Sequence, residues 1–377
     1  MINGNHKNKG SNKFISISSP SITQKEIDFV KDAVESGWVS SLGKYIKIFE
    51  DKFAEFCGTK YALATSNGTA ALHLAVALLG IKEGDEVIIP DLTFIATANA
   101  VSYTGARPVC ADIEAETWCI DPKSIRKKIT ERTKAIIPVH LYGHPADMDG
   151  IMNLAKEYKL YVIEDASEAH GARYKNRMVG SIGDLGVFSF YGNKIITTGE
   201  GGMITTNNPG FYEKAAFLRD HAMSKDKRYW HPEIGFNYRL TNLQAALGVA
   251  QLERIAELIN KKRRIFKWYE QSLKGLNCIK LNPQKGWAEN VYWMICLLLE
   301  ESISGKRESL MQKLKQNGID SRPFFYPISL MPMYKSEEIN RIAYSVSRRG
   351  LNLPSGVELT RDEVRYIAHA IYEQIMP

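Results

Sequence analysis

Nowhere in the 377 residues does an uninterrupted apolar stretch reach the ~18 positions that a membrane-spanning helix requires. Cysteine is scarce. Cys57, Cys110, Cys119, Cys278 and Cys296 are an odd number with no CxxC pair, which argues against a disulfide framework and against a structural zinc site. Neither GxGxxG nor GxxxxGK[ST] occurs, so a Rossmann dehydrogenase and a P-loop nucleotidase are disfavoured. Internal repeats and low-complexity linkers are missing too. The first residues, MINGNHKNKGSNKF, are polar and basic with no apolar segment behind them. They do not read as a secretory signal, residues 1–13 read as a loose tail, and the expected compartment is the cytoplasm. Charge of one sign is in only modest excess: 49 basic against 42 acidic residues leave +7, which suits anionic substrates without implying nucleic acid. The densest basic run, Lys261-Lys262-Arg263-Arg264, reads as a solvated helix face.

What is present is an alternation of short apolar runs with helical segments. GTAALHLAVALL (68–79) carries helix formers, and residues 86–89 follow as a short buried strand. TFIATANAVSYTG reads as a helix ending at Gly105, and RPVCADI as the next strand. Helices at 122–130 and 147–158 alternate with strands at 135–140 and 161–166. Such spacing points to parallel β/α units and a sheet buried on both faces. After residue 180 come two short strands, GVFSF and GGMITT, around the loop YGNKIITTGE, then one long helix at 241–271 with a bend. A strand-like VYWMICLLL, a helix near 306–317 and an amphipathic helix near 360–375 complete the chain. This gives an α/β protein: a large domain over 14–260 with a mainly parallel sheet, and a smaller α+β domain over 261–377.

Three segments carry chemistry. In Ser66-Asn67-Gly68-Thr69-Ala70, a glycine at a helix N-terminus lets backbone N–H groups approach an anion, and Ser66 and Thr69 add hydroxyls, although a plain helix cap accounts for the same residues. Glu164-Asp165 ends a buried strand, where open α/β sheets bind ligands, and a carboxylate there can pair with a protonated ring nitrogen. Ser189-Phe190-Tyr191-Gly192-Asn193-Lys194 ends a strand before the glycine-rich turn Thr198-Gly199-Glu200-Gly201-Gly202. A lysine placed there can project into a cleft, where desolvation makes its amine nucleophilic toward an aldehyde, and Ser189 can donate to a phosphate.

These motifs, with SGWVSSLGKYIKIFE (36–50), VHLYGHPADMD (139–149), EDASEAHGA (164–172), KRYWH (227–231), NYRLTN (237–242), SRPFFYP (321–327) and RGLNLPS (349–355), resemble the sugar aminotransferases named for the DegT, DnrJ, EryC and StrS proteins. The likeness runs from about Ile15 to the C-terminus and is closest to perosamine-forming members. It implies the fold of aspartate aminotransferase (PLP fold type I) and pyridoxal 5'-phosphate as cofactor. Lys194 matches the Schiff-base lysine and Asp165 the partner of the pyridine nitrogen. Gly68, Thr69 and Ser189 match phosphate ligands, and Phe94 the ring that stacks on the cofactor, although a phenylalanine at a strand-to-helix junction is usually core. Asn237 matches a phosphate ligand from the neighbouring subunit, which implies a homodimer with composite sites. The implied reaction moves an amino group from L-glutamate to C4 of a nucleotide-linked keto-sugar, GDP-4-keto-6-deoxymannose, in polysaccharide biosynthesis.

One position departs from the pattern. Many members carry glutamine three residues after the aspartate, where it donates to the cofactor's phenolic oxygen; here it is Glu168. An ionised carboxylate has no proton to donate, so Glu168 is either protonated or turned away. His140 and His144 have i, i+4 spacing, but Gly143 and Pro145 break the helix that would align them, and no metal is expected. The alternatives are a dTDP- or UDP-linked acceptor, a sugar dehydratase on the same scaffold, and a cofactor-binding regulator. The dehydratase has histidine where Lys194 stands, and the regulator normally carries a helix-turn-helix that this chain does not show.

Overall fold

The computed structural model describes residues 14–376, so the expected N-terminal tail, 1–13, lies outside the described residues. Seven strands form the central sheet in the order Tyr61–Thr65, Gly202–Thr206, Leu185–Ser189, Tyr161–Asp165, Thr133–Ile136, Glu86–Pro90 and Arg107–Ala111. Among them only Gly202–Thr206 runs against the rest. The apolar runs reach the core in alternation. Leu63, Val87, Ile89, Ile163, Val187 and Ile204 enter the cluster on one face. Ala62, Ala64, Ile88, Val162, Phe188 and Met203 enter the cluster on the other. Helices cover both faces, which is why these strands are apolar at nearly every position.

The expected helices and strands are found, with altered ends. The strand expected at 135–140 is Thr133–Ile136, and Val139 is bridged only to Asp165. The helix expected to end at Gly105 is shorter, Ala96–Ser102. The long helix of 241–271 is two, Asn242–Leu252 and Ile255–Ser272. Arg254 leaves helical geometry between them, and its guanidinium is held by buried Glu26 at 2.7 Å. VYWMICLLL is a strand only over Ile295–Leu299, because Tyr292 takes a left-handed φ of 50°. Helices Gln24–Glu35, Lys44–Cys57, Pro209–Arg219 and Arg341–Arg349 were not anticipated.

The C-terminal part builds a four-stranded antiparallel sheet, ordered Ile279–Leu281, Ile295–Leu299, Gly350–Leu353 and Arg322–Pro323. The helix Ile255–Ser272 serves both cores: Ile255, Leu258 and Ile259 pack with the large sheet, and Ile265, Phe266 and Tyr269 with the small one. The basic run on this helix is not wholly solvated as expected. Lys262 turns inward and is buried, because its ammonium finds two backbone acceptors, Trp293 O at 2.9 Å and Ser355 O at 2.6 Å.

Strand alternation separates the two carboxylates at the end of Tyr161–Asp165. Glu164 points into the first core, fully buried. It accepts N–H bonds from Gly180 (2.9 Å), Ile182 (2.6 Å) and Gly183 (2.7 Å), and one from His140 Nε2 (3.0 Å). The His140 tautomer follows, since its Nδ1 accepts from Ala146 N. Glu164→Ala leaves four buried donors without an acceptor. It should cost about 3–5 kcal/mol of stability, read as a lower denaturation midpoint in urea. An unchanged midpoint would show that this carboxylate does not hold the 180–183 turn.

Candidate active site

A cleft of about 710 Å³ opens at the carboxyl ends of the parallel strands, where loops from five of them converge. Its floor and walls include Gly68 and Thr69, Phe94 and Thr97, Asp165 and Glu168, Ser189, Lys194 and Trp293. Gly68, Thr69, Phe94, Asp165, Glu168, Ser189 and Lys194 all lie here; Asn237 does not.

The anion end is formed where Tyr61–Thr65 turns into the helix Gly68–Leu78. Asn67 caps that helix, its side chain accepting from Ala70 N at 2.8 Å. Gly68 lies against Ser189, so close that an added Cβ would fall 2.7 Å from Ser189 Cβ. Glycine is thus a requirement of packing, and the contact brings a hydroxyl beside the helix N-terminus, a pairing suited to phosphate. Gly202 meets the same turn, since a Cβ there would lie 2.5 Å from Asn67 O. Ser66 does not line the cleft; its N–H bonds Tyr238 O at 2.8 Å.

Lys194 lies in the loop between Leu185–Ser189 and Gly202–Thr206. Phe190 N bonds Gly201 O, closing the loop at its base, and buried Ile195 and Ile196 anchor it in the core. With its neighbours pinned, Lys194 projects into the cleft, its side chain 11% exposed. Nζ lies 3.7 Å from Glu168 Oε1 and 4.0 Å from the centroid of the Trp293 ring. Burial pushes its pKa below the usual lysine value, while the charges of Glu168 and Asp165 act the other way.

Asp165 faces the cleft. Its Oδ2 accepts from Thr97 Oγ1 at 3.0 Å and Oδ1 from Ser167 N at 3.2 Å, and Thr93 in turn contacts Thr97 at 3.2 Å. The two bonds orient the carboxylate. Phe94 is 55% exposed, so it is not the core residue that its position suggested. It stands at the cleft wall, 5.7 Å from the Phe325 ring.

Glu168 does not turn away. Its Oε2 accepts the Tyr142 N–H at 2.9 Å, and Tyr142 takes a left-handed φ of 53°, strained for a tyrosine, with that N–H on the carboxylate. Burial raises the Glu168 carboxyl to about 7, opposed by the Lys194 charge and the Tyr142 bond and reinforced by Asp165. Near neutral pH a large share carries a proton, and with Oε2 occupied as an acceptor the proton belongs on Oε1, on the Lys194 side. A protonated Glu168 can donate as glutamine would.

Thr97, Tyr142 and Trp293 were not found from sequence. Thr97 lies in a stretch of ordinary helix formers, and Trp293 in an apolar run that reads as strand. The two histidines carry no metal geometry: His140 serves Glu164 and Ala146, while His144 Nδ1 donates to Pro145 O at 2.7 Å and Nε2 accepts Lys285 N at 3.2 Å. Among the described residues no group of three or more metal-binding side chains gathers, and no helix is long and apolar enough to cross a membrane. Asn237 is exposed outside this chain's cleft, its Oδ1 accepting from Arg239 Nε at 3.1 Å.

The site therefore offers a partly desolvated amine, an oriented carboxylate, a neighbouring acid near neutrality, an uncovered aromatic ring and an anion cradle. That set fits a phosphorylated aromatic aldehyde with a basic ring nitrogen.

Comparison with known proteins gives the same answer. Residues 20–372 match the DegT/DnrJ/EryC1/StrS aminotransferase family. The chain is 45% identical over 362 residues to a GDP-perosamine synthase of Escherichia coli O157:H7, covering 96% of this chain and 98% of that one. It is 46% identical over 360 residues to a GDP-perosamine synthase of Caulobacter vibrioides, covering 95% and 97%. A putative sugar aminotransferase of Streptococcus pneumoniae, solved in its PLP form, superposes with a TM-score of 0.90 at 29% identity, covering 96% and 98%.

The raised carboxyl of Glu168 has a consequence for stability. An acid whose pKa is higher folded than unfolded binds more protons in the folded state between about 4.5 and 7, so its contribution falls as pH rises through that window. Glu168→Gln removes the penalty. The variant should gain on the wild type by on the order of 2 kcal/mol between pH 5 and pH 8, followed by thermal melting. A difference independent of pH would mean that Glu168 is not held protonated.

Proposed function

The chain belongs to the DegT/DnrJ/EryC1/StrS aminotransferase family, and from that premise we propose that it moves an amino group from glutamate to C4 of GDP-4-keto-6-deoxymannose, forming GDP-perosamine for a polysaccharide. It is a pyridoxal-phosphate-dependent transaminase acting on sugars. The similarity to proteins named GDP-perosamine synthase, over nearly the whole length of each, carries the choice of acceptor.

Pyridoxal phosphate, when bound, supplies an aldehyde carbon that takes up the amino group and a pyridine ring that accepts electron density. In our reading Lys194 would hold the cofactor through its amine. When free, that amine would remove and return the proton at the reacting carbon, a role for which a lysine held below its usual pKa is suited. Asp165, oriented by Thr97 and Ser167, keeps the ring nitrogen protonated. Protonated Glu168 donates toward the phenolic oxygen, Phe94 lies against the ring, and Gly68, Thr69 and Ser189 hold the phosphate. Asn237 of the partner subunit completes the phosphate site. The exposed position of Asn237, outside its own cleft, supports that assignment and with it a homodimer.

The test is amino transfer from L-glutamate to a panel of GDP-, UDP- and dTDP-linked 4-keto-6-deoxy sugars. GDP-4-keto-6-deoxymannose should be turned over best; preference for a dTDP or UDP sugar would overturn the acceptor, and no transfer to any keto-sugar would overturn the reaction. Lys194→Ala should abolish transfer while circular dichroism shows an unchanged fold, and near-normal turnover would remove Lys194 from the mechanism. The shared site has its own test. Asn237→Ala should weaken cofactor retention by about 1.5–3 kcal/mol, the worth of a hydrogen bond to a charged group. Mixed with Lys194→Ala, it should form heterodimers in which one site carries both defects and the other neither, so activity partly returns. Heterodimers without recovered activity would place both residues in one subunit's site.

A further inference from the structure

Trp293 belongs to no motif of the chain, yet it is held from several directions. Its indole Nε1–H donates to Asn193 O at 2.8 Å, tying the ring to the residue before Lys194. Its carbonyl accepts from buried Lys262, whose second bond goes to Ser355 O. Tyr142 lies nearly parallel to it, 6.3 Å between centroids and 15° between planes. The ring is 5% exposed, and its face lies toward Lys194 Nζ, 4.0 Å from the centroid.

A lysine that leaves and rejoins a cofactor must be accommodated while detached. A buried ammonium without compensation is costly, and the negative face of an indole offers part of that compensation. The other groups around this amine supply only some of it. Glu168 lies at 3.7 Å, too far for a hydrogen bond, and burial raises its carboxyl toward the protonated form, while Asp165 is committed to Thr97 and Ser167. His170, buried behind the loop, is kept neutral by burial and by the Lys194 charge, so it neither helps nor opposes.

We propose that Trp293 is a positioning residue whose indole face holds the Lys194 side chain when its amine is protonated and not attached to the cofactor. The inference rests on the preceding reading for what the amine does, but the contact stands on geometry alone. The indole is restrained by Asn193, by Tyr142 and by its own burial, and Lys262 fixes the backbone that carries it, so the face stays in place while the lysine moves. The amine then has two defined positions, and the free one is within reach of the acid at Glu168.

The experiment uses the full-length protein freed of cofactor. Trace acetylation with acetic anhydride across a pH series, read by mass spectrometry of the Lys194 peptide, gives the titration midpoint of that amine. Tryptophans with increasing fluorine content, placed at 293, keep the N–H and nearly the shape while draining charge from the ring face. The midpoint should fall stepwise with fluorination, by about half to one pH unit in all. Trp293→Phe should lie between wild type and Trp293→Leu. A midpoint that does not move along the fluorinated series overturns the proposal, and so does Trp293→Phe falling as far as Trp293→Leu, because the tether to Asn193 would then account for the effect. No substrate enters the assay, so a failed acceptor screen and a flat titration point to different errors.

Discussion

Because apolar side chains cover both faces of the seven-stranded sheet, a polar group can reach solvent only where a strand stops. The whole site follows from that constraint. The parallel strands stop at one edge, and the antiparallel Gly202–Thr206 starts there, so the loops at Asn67, Phe94, Asp165 and Lys194 come together although the first and the last lie more than a hundred residues apart in sequence. The same constraint makes neighbouring residues opposites. Glu164 and Asp165 are consecutive carboxylates; one is locked in the core by four donors and the other faces the cleft with two.

The electrostatics of the cleft depend on desolvation more than on any single pair. Lys194 and Glu168 are drawn toward one another's range, the amine down and the acid up to about 7, because each is buried. Their mutual attraction works against both shifts. The result is an amine that burial makes easier to deprotonate beside an acid that burial makes harder to ionise. The strained Tyr142 backbone and the Trp293 ring frame this pair from the side of the C-terminal sheet. The chemistry thus depends on the two sheets being held together, and the helix Ile255–Ser272, which packs in both cores, provides part of that connection through Lys262.

Departures from the sequence reading have a common cause. Lys262 was read as surface because lysine in a basic run usually is, and only the two carbonyls that meet it in three dimensions make burial tolerable. Phe94 matched the ring that stacks on the cofactor, with core as the alternative; the strand ends before it and it stands exposed at the cleft wall. The long helix was read as one with a bend because its residues favour helix throughout; it is two helices, and Arg254 between them is held by Glu26, more than two hundred residues away in sequence. Local pattern carries no information about partners so distant.

The sequence by itself determined the alternation of strands and helices, the strand on which two carboxylates take opposite faces, and the loop that carries Lys194, because period and turn chemistry are local properties. It also pointed to the amine, the acid and the anion cradle, since strand ends and a helix N-terminus can be read along the chain. What Glu164 is bonded to in the core, whether Glu168 is turned inward, and that Trp293 lies against Lys194 were decided only by tertiary structure. Those facts depend on which surfaces pack together, and on how much water that packing removes from groups whose charge depends on it.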